Sequence, residues 1–196
     1  MGQRKKPDRR VSRTRRSLSD ALVGLILEKR FDAITVQELI DRADVGRATF
    51  YAHYRDKEDL FLSGWKRVLD GFVAHIEWER AGAGNFVPVR WLFAHLRDSQ
   101  PFYRALARSR KTDWLFETGR AHLAESIEGS LSARLAGRPQ PSVPAAVLAN
   151  YLAAEVFALL RWWLERDMPH TPERMDEIFH ALVVPGLAAA LGGALG

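Results

Sequence analysis

Hydrophobic positions recur every three to four residues through nearly the whole chain, and no stretch keeps the two-residue alternation of a half-buried strand. Such spacing places apolar side chains on one face of a helix. The first clear example is an apolar face formed by Leu18, Ala21, Leu22, Leu25 and Ile26. The pattern therefore predicts an all-α protein of about nine helices.

Two short helices joined by a tight turn are predicted next. Thr35 opens the sequence Thr-Val-Gln-Glu, a capping box in which Thr35 and Glu38 satisfy each other's backbone amides. Apolar positions then repeat at helical spacing: Val36, Leu39, Ile40 and Ala43. The turn is placed at 43–46, because Asp44 tolerates the left-handed conformation better than most residues do. A second helix is expected from Arg47 to His53.

The second of these helices has two different faces. Phe50 and Tyr54 are expected to pack inward with Val45. The outward face carries Arg47, Ala48, Thr49, Tyr51 and His53. Arginine bonds guanine edges or phosphates, alanine permits close approach to a thymine methyl, and the other three side chains can bond phosphate oxygens. This surface predicts contact with double-stranded DNA, supported by Lys57 at the start of the following helix, where backbone amides and an ammonium favour phosphate.

The stretch from Thr35 to Phe61 resembles the DNA-binding motif of the TetR family of bacterial transcriptional regulators. The resemblance covers residues 14–61 and includes a helix-two threonine, a Thr-Phe-Tyr core, an aromatic after a histidine, and Lys-Glu before a leucine. Asp44 replaces the usual turn glycine, and Gly46 replaces the serine that usually caps the recognition helix. The resemblance implies an N-terminal three-helix DNA-binding domain and a C-terminal helical domain for effector binding and dimerisation. The expected DNA-contacting residues are Thr35, Gly46, Arg47, Ala48, Thr49, Tyr51, His53 and Lys57.

Positive charge is concentrated at the N-terminus. Eight of the first sixteen residues are lysine or arginine, against the single acid Asp8. Such a segment is predicted to be disordered alone and attracted to phosphate, with an adjacent minor groove as one resting place. The alternative is a tail that is merely solvated. The expected organisation is a basic tail over 1–12, a DNA-binding domain over 13–60 and a regulatory and dimerisation domain over 61–196.

Composition excludes several classes of protein. The chain of 196 residues is 47% hydrophobic and has no cysteine, so it has no disulfide or thiol chemistry and suits a reducing cytoplasm. No signal-peptide core follows the basic N-terminus, and the apolar run 181–196 is short for a bilayer, so no membrane association is expected. We find no phosphate-cradling glycine loop, nucleophile motif or metal-ligand spacing. An enzyme, a catalytic residue, a cofactor and a metal site are therefore not expected.

The remainder of the chain predicts a larger helical domain, since all six tryptophans lie beyond residue 60. A long helix from Lys57 should connect the two domains and end at the glycines within 81–85. Further helices are expected over 88–98, 100–108, 112–135, 144–166 and from Pro172 through Leu187, with a loop over 137–144. One subunit cannot easily cover the apolar sides of the last two helices. They are therefore predicted to form a four-helix bundle with a second copy, giving a homodimer that binds a pseudo-palindromic site.

The resemblance also implies that the second domain holds a small-molecule inducer. The aromatic candidates for contacting a small hydrophobic or aromatic effector are Trp91, Phe102, Tyr103, Trp114, Phe116 and Phe157. The polar candidates are His95, His122 and Glu155. The same aromatic residues could form only core, and Glu155 could be an interface carboxylate.

The function expected is that of a repressor released from a palindromic operator by such an effector. Three alternatives stay open at this point: control by a protein partner through the Trp162 and Trp163 surface, an activator, and a nonspecific chromosome-coating protein.

Overall fold

The computed structural model describes residues 9–78, 87–107, 109 and 112–191, and every regular element in those residues is helical. The elements are α1 (Arg9–Glu28), a 3₁₀ turn (Phe31–Ala33), α2 (Val36–Ala43), α3 (Arg47–Tyr51), α4 (Lys57–Ala74), α5 (Val89–Asp98), α6 (Gln100–Ala107), α7 (Thr112–Leu135), α8 (Ala145–Glu165), α9 (Pro172–Leu182) and α10 (Val184–Leu191). The predicted all-α fold is confirmed.

The first core lies between α1, α2, α3 and the start of α4. The whole predicted apolar face of α1, from Leu18 to Ile26, is buried there. Phe31, Leu39 and Phe50 are each fully buried in the same core. Three short helices can therefore share one apolar centre although none is long enough to be stable alone.

The N-terminus of α1 differs from the expected boundary. The helix begins at Arg9, so residues 9–12 are helical and do not form part of a disordered tail. Residues 1–8 of the expected tail lie outside the described residues.

A second, larger core is built from α4, α5 and α7 to α10. Trp78 and Trp163 are almost completely buried in it, and each indole N–H has an acceptor. Trp78 donates to Ser130 Oγ at 3.1 Å, and Trp163 donates to the carbonyl of His170 at 3.0 Å. Burying a tryptophan with its N–H satisfied adds apolar contact without an unpaired polar group.

Helix α4 contributes to both cores. Leu60 and Phe61 lie in the first, whereas Leu69, Phe72 and Val73 lie in the second. Leu106 of α6 and Leu115 of α7 also pack into the first core. The two cores are thus joined by α4 and by the α6–α7 corner.

Two helix ends differ from the sequence expectation. Helix α4 ends at Ala74, several residues before 81–85, because Ile76 and Trp78 enter the second core after the chain has turned. The glycines expected to end it lie outside the described residues. The last predicted helix is two helices, α9 and α10, with the break at Val183. Pro185 explains the break, because proline lacks an N–H and its ring clashes with the carbonyl four residues earlier.

The covering of the last helices also differs from expectation. Met175 and Phe179 of α9 are fully buried within the same chain, where α9 packs against α5. Arg90 N donates to Asp176 Oδ1 at 3.0 Å across this contact. The large apolar side chains left exposed on α8 and α9 are Val147, Tyr151 and Leu182.

Helix α8 is, among the described helices, the one long and apolar enough to cross a membrane by length and composition. Leu148, Leu152 and Val156 nevertheless lie buried in the second core, where α8 packs against α7. This arrangement is that of the core helix of a soluble protein.

Candidate nucleic-acid interface and ligand cavity

The predicted capping box fixes the start of α2. Thr35 Oγ1 accepts from the amide of Glu38 at 3.3 Å, and Glu38 Oε2 accepts from the amide of Thr35 at 2.9 Å. Lys29 bonds the same carboxylate, and this hydrogen bond, with those from Thr35, lowers the pKa of Glu38 from 4.5 to about 2. The hydroxyl hydrogen of Thr35 is also donated to Glu38 Oε2. The expected donation from Thr35 to a DNA phosphate is corrected accordingly, because this hydroxyl stabilises α2.

The turn between α2 and α3 has the predicted conformation. Asp44 adopts φ 51° and ψ 53°, the left-handed region, and Val45 N donates to the carbonyl of Ile40 at 3.1 Å. Gly46 precedes α3 in an extended conformation, and a Cβ built there would meet only Thr49 Oγ1, at 3.8 Å. Space therefore does not require glycine at position 46, although glycine permits close approach of another molecule.

Helix α3 separates its two faces as predicted. Phe50 is fully buried and Tyr54 is 5% exposed, with their ring centroids 6.0 Å apart. Arg47, Ala48 and Tyr51 are exposed, whereas Thr49 and His53 are half-buried. The Arg47 guanidinium lies 5.9 Å from the centroid of the Tyr51 ring and 3.5 Å from Gln37 Oε1. Helix α3 ends at Tyr51, two residues before the predicted end, so His53 lies on the turn that follows.

Lys57 does not present its ammonium to solvent as predicted. Its Nζ donates to three backbone carbonyls around the 3₁₀ turn, those of Phe31 (2.9 Å), Asp32 (2.9 Å) and Ile34 (2.6 Å). An ammonium has three N–H donors, and these carbonyls use all of them. The predicted phosphate contact through the Lys57 ammonium is therefore corrected to a structural role at the junction of α4 with the 3₁₀ turn.

A cavity of about 270 Å³ lies between α1, α4, α5 and α6. Among the predicted ligand contacts, His95, Phe102 and Tyr103 line it. Residues for which no contact was predicted complete the lining, chiefly Leu22 and Val23 of α1 and Phe61, Gly64, Trp65 and Val68 of α4. The cavity therefore touches two helices of the DNA-binding unit directly. The sequence carries no signal for this, because α1 and α4 meet α6 only through the tertiary fold.

The two titratable groups that line this cavity are held in their neutral forms. Burial lowers the pKa of His95, with Asp98 opposing the shift, and burial raises the pKa of Tyr103. A neutral imidazole and a phenol offer hydrogen bonds but no charge.

Phe116 and Phe157 were also predicted ligand contacts, and they pack around a much smaller gap of about 30 Å³. This volume admits about one water molecule, so the two rings form core and cannot contact an effector there. Trp65 and Tyr103 line both spaces and separate them. Gly119 of α7 is required for this arrangement, because a Cβ at that position would lie 2.4 Å from Trp65 Nε1.

The remaining predicted ligand contacts line neither space in the described structure. Trp91 is 39% exposed and stacks on His75 and His95, each with ring centroids 5.8 Å apart. Trp114 is exposed on α7, and Glu155 is half-buried on α8. His122 Nε2 lies 2.8 Å from Asp70 Oδ1, so it joins α7 to α4. These four residues are corrected to surface or packing roles.

A contact between the two domains was missed entirely. Ser109, between α6 and α7, is 7% exposed and donates to Asp32 Oδ1 at 3.0 Å. The carbonyl of Asp32 accepts from Lys57, so one residue of the 3₁₀ turn is tied to both α4 and the α6–α7 corner.

Two family models match this chain. One is described as "Bacterial regulatory proteins, tetR family" and covers residues 18–63, from α1 to the start of α4. The other is described as "Transcriptional regulator C-terminal region" and covers residues 89–184, from α5 to the start of α10.

Two relatives and two solved structures are similar over most of the chain. The HTH-type transcriptional regulator YxbF of Bacillus subtilis (strain 168) is 27% identical over 184 residues, which are 89% of this chain and 46% of YxbF. This chain thus spans less than half the length of that relative. The HTH-type transcriptional regulator TcmR of Streptomyces glaucescens is 24% identical over 81% of this chain and 77% of TcmR.

Both solved structures share the fold. A TetR transcriptional regulator from Streptococcus agalactiae 2603V matches with a TM-score of 0.56 and 22% identity, over 90% of this chain and 96% of that one. DhaS, the activator of a dihydroxyacetone kinase operon, matches with a TM-score of 0.63 and 15% identity, over 91% of this chain and 98% of DhaS.

Proposed function

This chain belongs to the TetR family of bacterial DNA-binding transcriptional regulators, and from that premise we propose that it is a repressor. A homodimer binds a pseudo-palindromic operator, and a small apolar or aromatic effector releases it. The observation that carries the proposal is the outward face of α3, where Arg47, Ala48 and Tyr51 are exposed while Phe50 anchors the helix from below. Polar and small side chains held on a rigid short helix are suited to reading the major groove.

The proposed DNA contacts are those of α3 and the turns beside it. Arg47 bonds a guanine edge or a phosphate, Ala48 permits close approach, and Tyr51 bonds the backbone. Thr49 and His53 are half-buried, and each keeps a polar atom for phosphate. Gly46 allows the DNA backbone to approach the start of α3.

The proposed dimer uses α8 and α9. Val147, Tyr151 and Leu182 are 54%, 41% and 68% exposed, which is unusual for side chains of this size. Covering them by a second copy removes apolar area from water and presents two α3 helices to one duplex. Sedimentation of the full chain at micromolar concentration is expected to give a dimer, and a monomer would contradict this part of the proposal.

The proposed coupling runs through the cavity. A ligand there contacts α1 and α4, which support α3, so it can favour one spacing of these helices over another. Release requires that the ligand binds the DNA-free arrangement more tightly than the DNA-bound one.

The test of DNA reading is selection of duplexes from a random library by the purified protein. We expect one pseudo-palindromic sequence to be enriched. Arg47→Ala should weaken binding to that sequence by roughly tenfold or more, as loss of one good base or phosphate contact does. The matched control is Arg174→Ala, which removes an arginine paired with Glu177 on the surface of α9. Enrichment of no sequence, or equal effects of the two substitutions, would refute specific reading by α3.

The other proposals concern mode and place of action. DhaS is an activator, so the fold admits either sign of regulation, and transcription from a promoter carrying the selected site distinguishes the two. A protein partner on the Trp162 and Trp163 surface gains no support, because Trp163 is fully buried. The protein is proposed to act in the cytoplasm at the chromosome, and to be a regulator and not an enzyme.

A further inference from the structure

A basic groove lies beside the ligand cavity. It is lined by Ser12, Arg15, Arg16, Ser19, Asp20 and Arg67. Ser19 of α1 and Arg67 of α4 line both the groove and the cavity. The groove and the cavity are therefore adjacent, and these two residues stand at the mouth between them.

The arginines of this basic groove are not neutralised. Arg67 lies 3.5 Å from Ser19 Oγ, and within the described residues no carboxylate forms an ion pair with Arg15, Arg16 or Arg67. Asp20 is the single acid in the lining. Arginine stays protonated at any physiological pH, so the mouth carries a permanent positive charge.

The interior of the cavity has the opposite character. The Phe61 and Phe102 rings stack at 6.3 Å, and the Trp65 and Tyr103 rings meet edge-on at 5.9 Å. The polar groups beyond the mouth, His95 and Tyr103 among them, carry no charge. An ionised group would be strongly disfavoured in this interior, whereas at the mouth it would meet Arg67.

We propose that this site binds an amphipathic anion, with an apolar body in the cavity and a carboxylate or phosphate group on Arg67 at the mouth. The volume of about 270 Å³ corresponds to about nine water-sized groups, so the body has roughly ten non-hydrogen atoms. Arg15 and Arg16 extend the positive field along the groove and accept a second anionic oxygen. This inference rests on the proposed effector role of the cavity and gives that effector a chemical class.

The position of the charge also suggests how such a ligand acts. Arg15 and Arg16 are on α1, and Arg67 is on α4. One anion bound between them links the two helices that hold the DNA-binding unit to the rest of the chain. The same arginines add to the positive field near the DNA, so the bound anion also reduces the attraction to phosphate.

The test is calorimetric titration of the full chain, without DNA, with 2-naphthoate and with its uncharged isostere 2-naphthamide. We expect one site per chain and a preference of about tenfold for the naphthoate, in line with one charge-assisted hydrogen bond. Arg67→Gln should abolish the preference and leave the naphthamide affinity unchanged. Lys66→Gln, which neutralises the neighbouring exposed residue outside both linings, should retain the preference.

A second pair of variants locates the site. Gly64 lines the cavity, so Gly64→Leu should fill it and abolish binding of both probes. Gly129→Leu is the control, because position 129 is an exposed helical glycine with nothing within 4 Å of a Cβ.

Equal affinity for the two probes, a preference that survives Arg67→Gln, binding that survives Gly64→Leu, or no binding of either probe would each overturn the proposal. The titration contains no DNA, so its outcome is independent of operator binding. Release of operator by some uncharged compound, without any preference for naphthoate, would refute the anion class and leave the repressor proposal intact.

Discussion

The ammonium group of Lys57 shows how one side chain can hold a junction together. It neutralises the partial negative charge of three carbonyls around the 3₁₀ turn, and it lies 5.2 Å from the centroid of the Phe31 ring. These carbonyls belong to a segment too short to satisfy them by helical hydrogen bonds. Lys57 therefore serves the fold of the DNA-binding unit more directly than it serves DNA.

Lys57→Met is expected to lower the free energy of unfolding by about 2 kcal/mol, since partly buried carbonyls lose a charged donor. Urea denaturation followed by circular dichroism measures this. Lys66→Met, on the same helix but exposed, is the control and should change stability little. Unchanged stability of Lys57→Met together with weakened operator binding would restore the phosphate contact in place of the structural role.

Glu38 should give a pH-dependent stability. Its pKa in the folded chain is about 2 against an ordinary 4.5, chiefly through the hydrogen bond from Lys29 and those from Thr35. The ionised carboxylate therefore favours folding above pH 4.5, and this contribution is lost as the pH falls towards 2. Glu38→Gln should have a lower melting temperature than the wild type at pH 7, and the difference should close over that range.

Thermal melts of both proteins at a series of pH values check this expectation. Glu177→Gln, which removes a carboxylate paired with Arg174 on the surface of α9, is the control. A Glu38→Gln deficit that stays constant from pH 7 to the acid limit would show that the carboxylate contributes no charge-dependent stability.

At the scale of elements, local signals predicted α1, α2 and α3 well. The capping box at Thr35, the left-handed Asp44 and the inward Phe50 are all present, because each depends on residues within a few positions of one another. The end of α4 and the break before Pro185 were predicted less well. In α4 the burial of Ile76 and Trp78 outweighs helical periodicity. At Pro185 a local rule was outweighed by an apolar pattern that continues through the break.

The candidate cavity was only half predictable, for a physical reason. Phe102, Tyr103 and His95 were identifiable as aromatic and polar residues in the second domain. The lining from Val23, Gly64 and Trp65 arises because α1 and α4 pack against α6, which no local pattern encodes. Phe116 and Phe157 have the same sequence signature as the lining residues but surround a gap for one water, and only packing distinguishes the two cases.

The α6–α7 corner is the second element that joins the domains. Ser109→Ala removes the hydrogen bond to Asp32 and should lower the free energy of unfolding by about 1 kcal/mol, typical of one intramolecular hydrogen bond. Ser132→Ala, at an exposed position on α7, should have a much smaller effect. Denaturant titrations of both variants provide the comparison. Equal effects would show that the Ser109 contact does not stabilise the junction.

At the scale of the whole molecule, one long helix and one corner link a small core to a large one. The proposed cavity lies where these cores meet, so a ligand there adds contacts to both at once. A binding site between two packed units can shift their arrangement with contacts of modest energy, because each arrangement is a discrete packing state.

The N-terminal residues contribute to DNA affinity through charge. Deleting residues 2–8, which leaves α1 intact, removes Arg4, Lys5 and Lys6. Operator binding should weaken, and the slope of log affinity against log salt should fall by about 0.9 for each lost phosphate contact. Fluorescence anisotropy at several salt concentrations measures the slope. A slope equal to that of the full chain would exclude phosphate contacts by this segment.

The central claim is that two copies of α3 read one operator. Hydroxyl-radical footprinting of the full chain on the selected duplex tests it most directly. The expected result is two equally protected half-sites on one face of the duplex, about 10–10.5 base pairs apart or a multiple of that spacing. One protected half-site, or continuous protection along an unrelated duplex, would contradict dimeric, sequence-specific recognition.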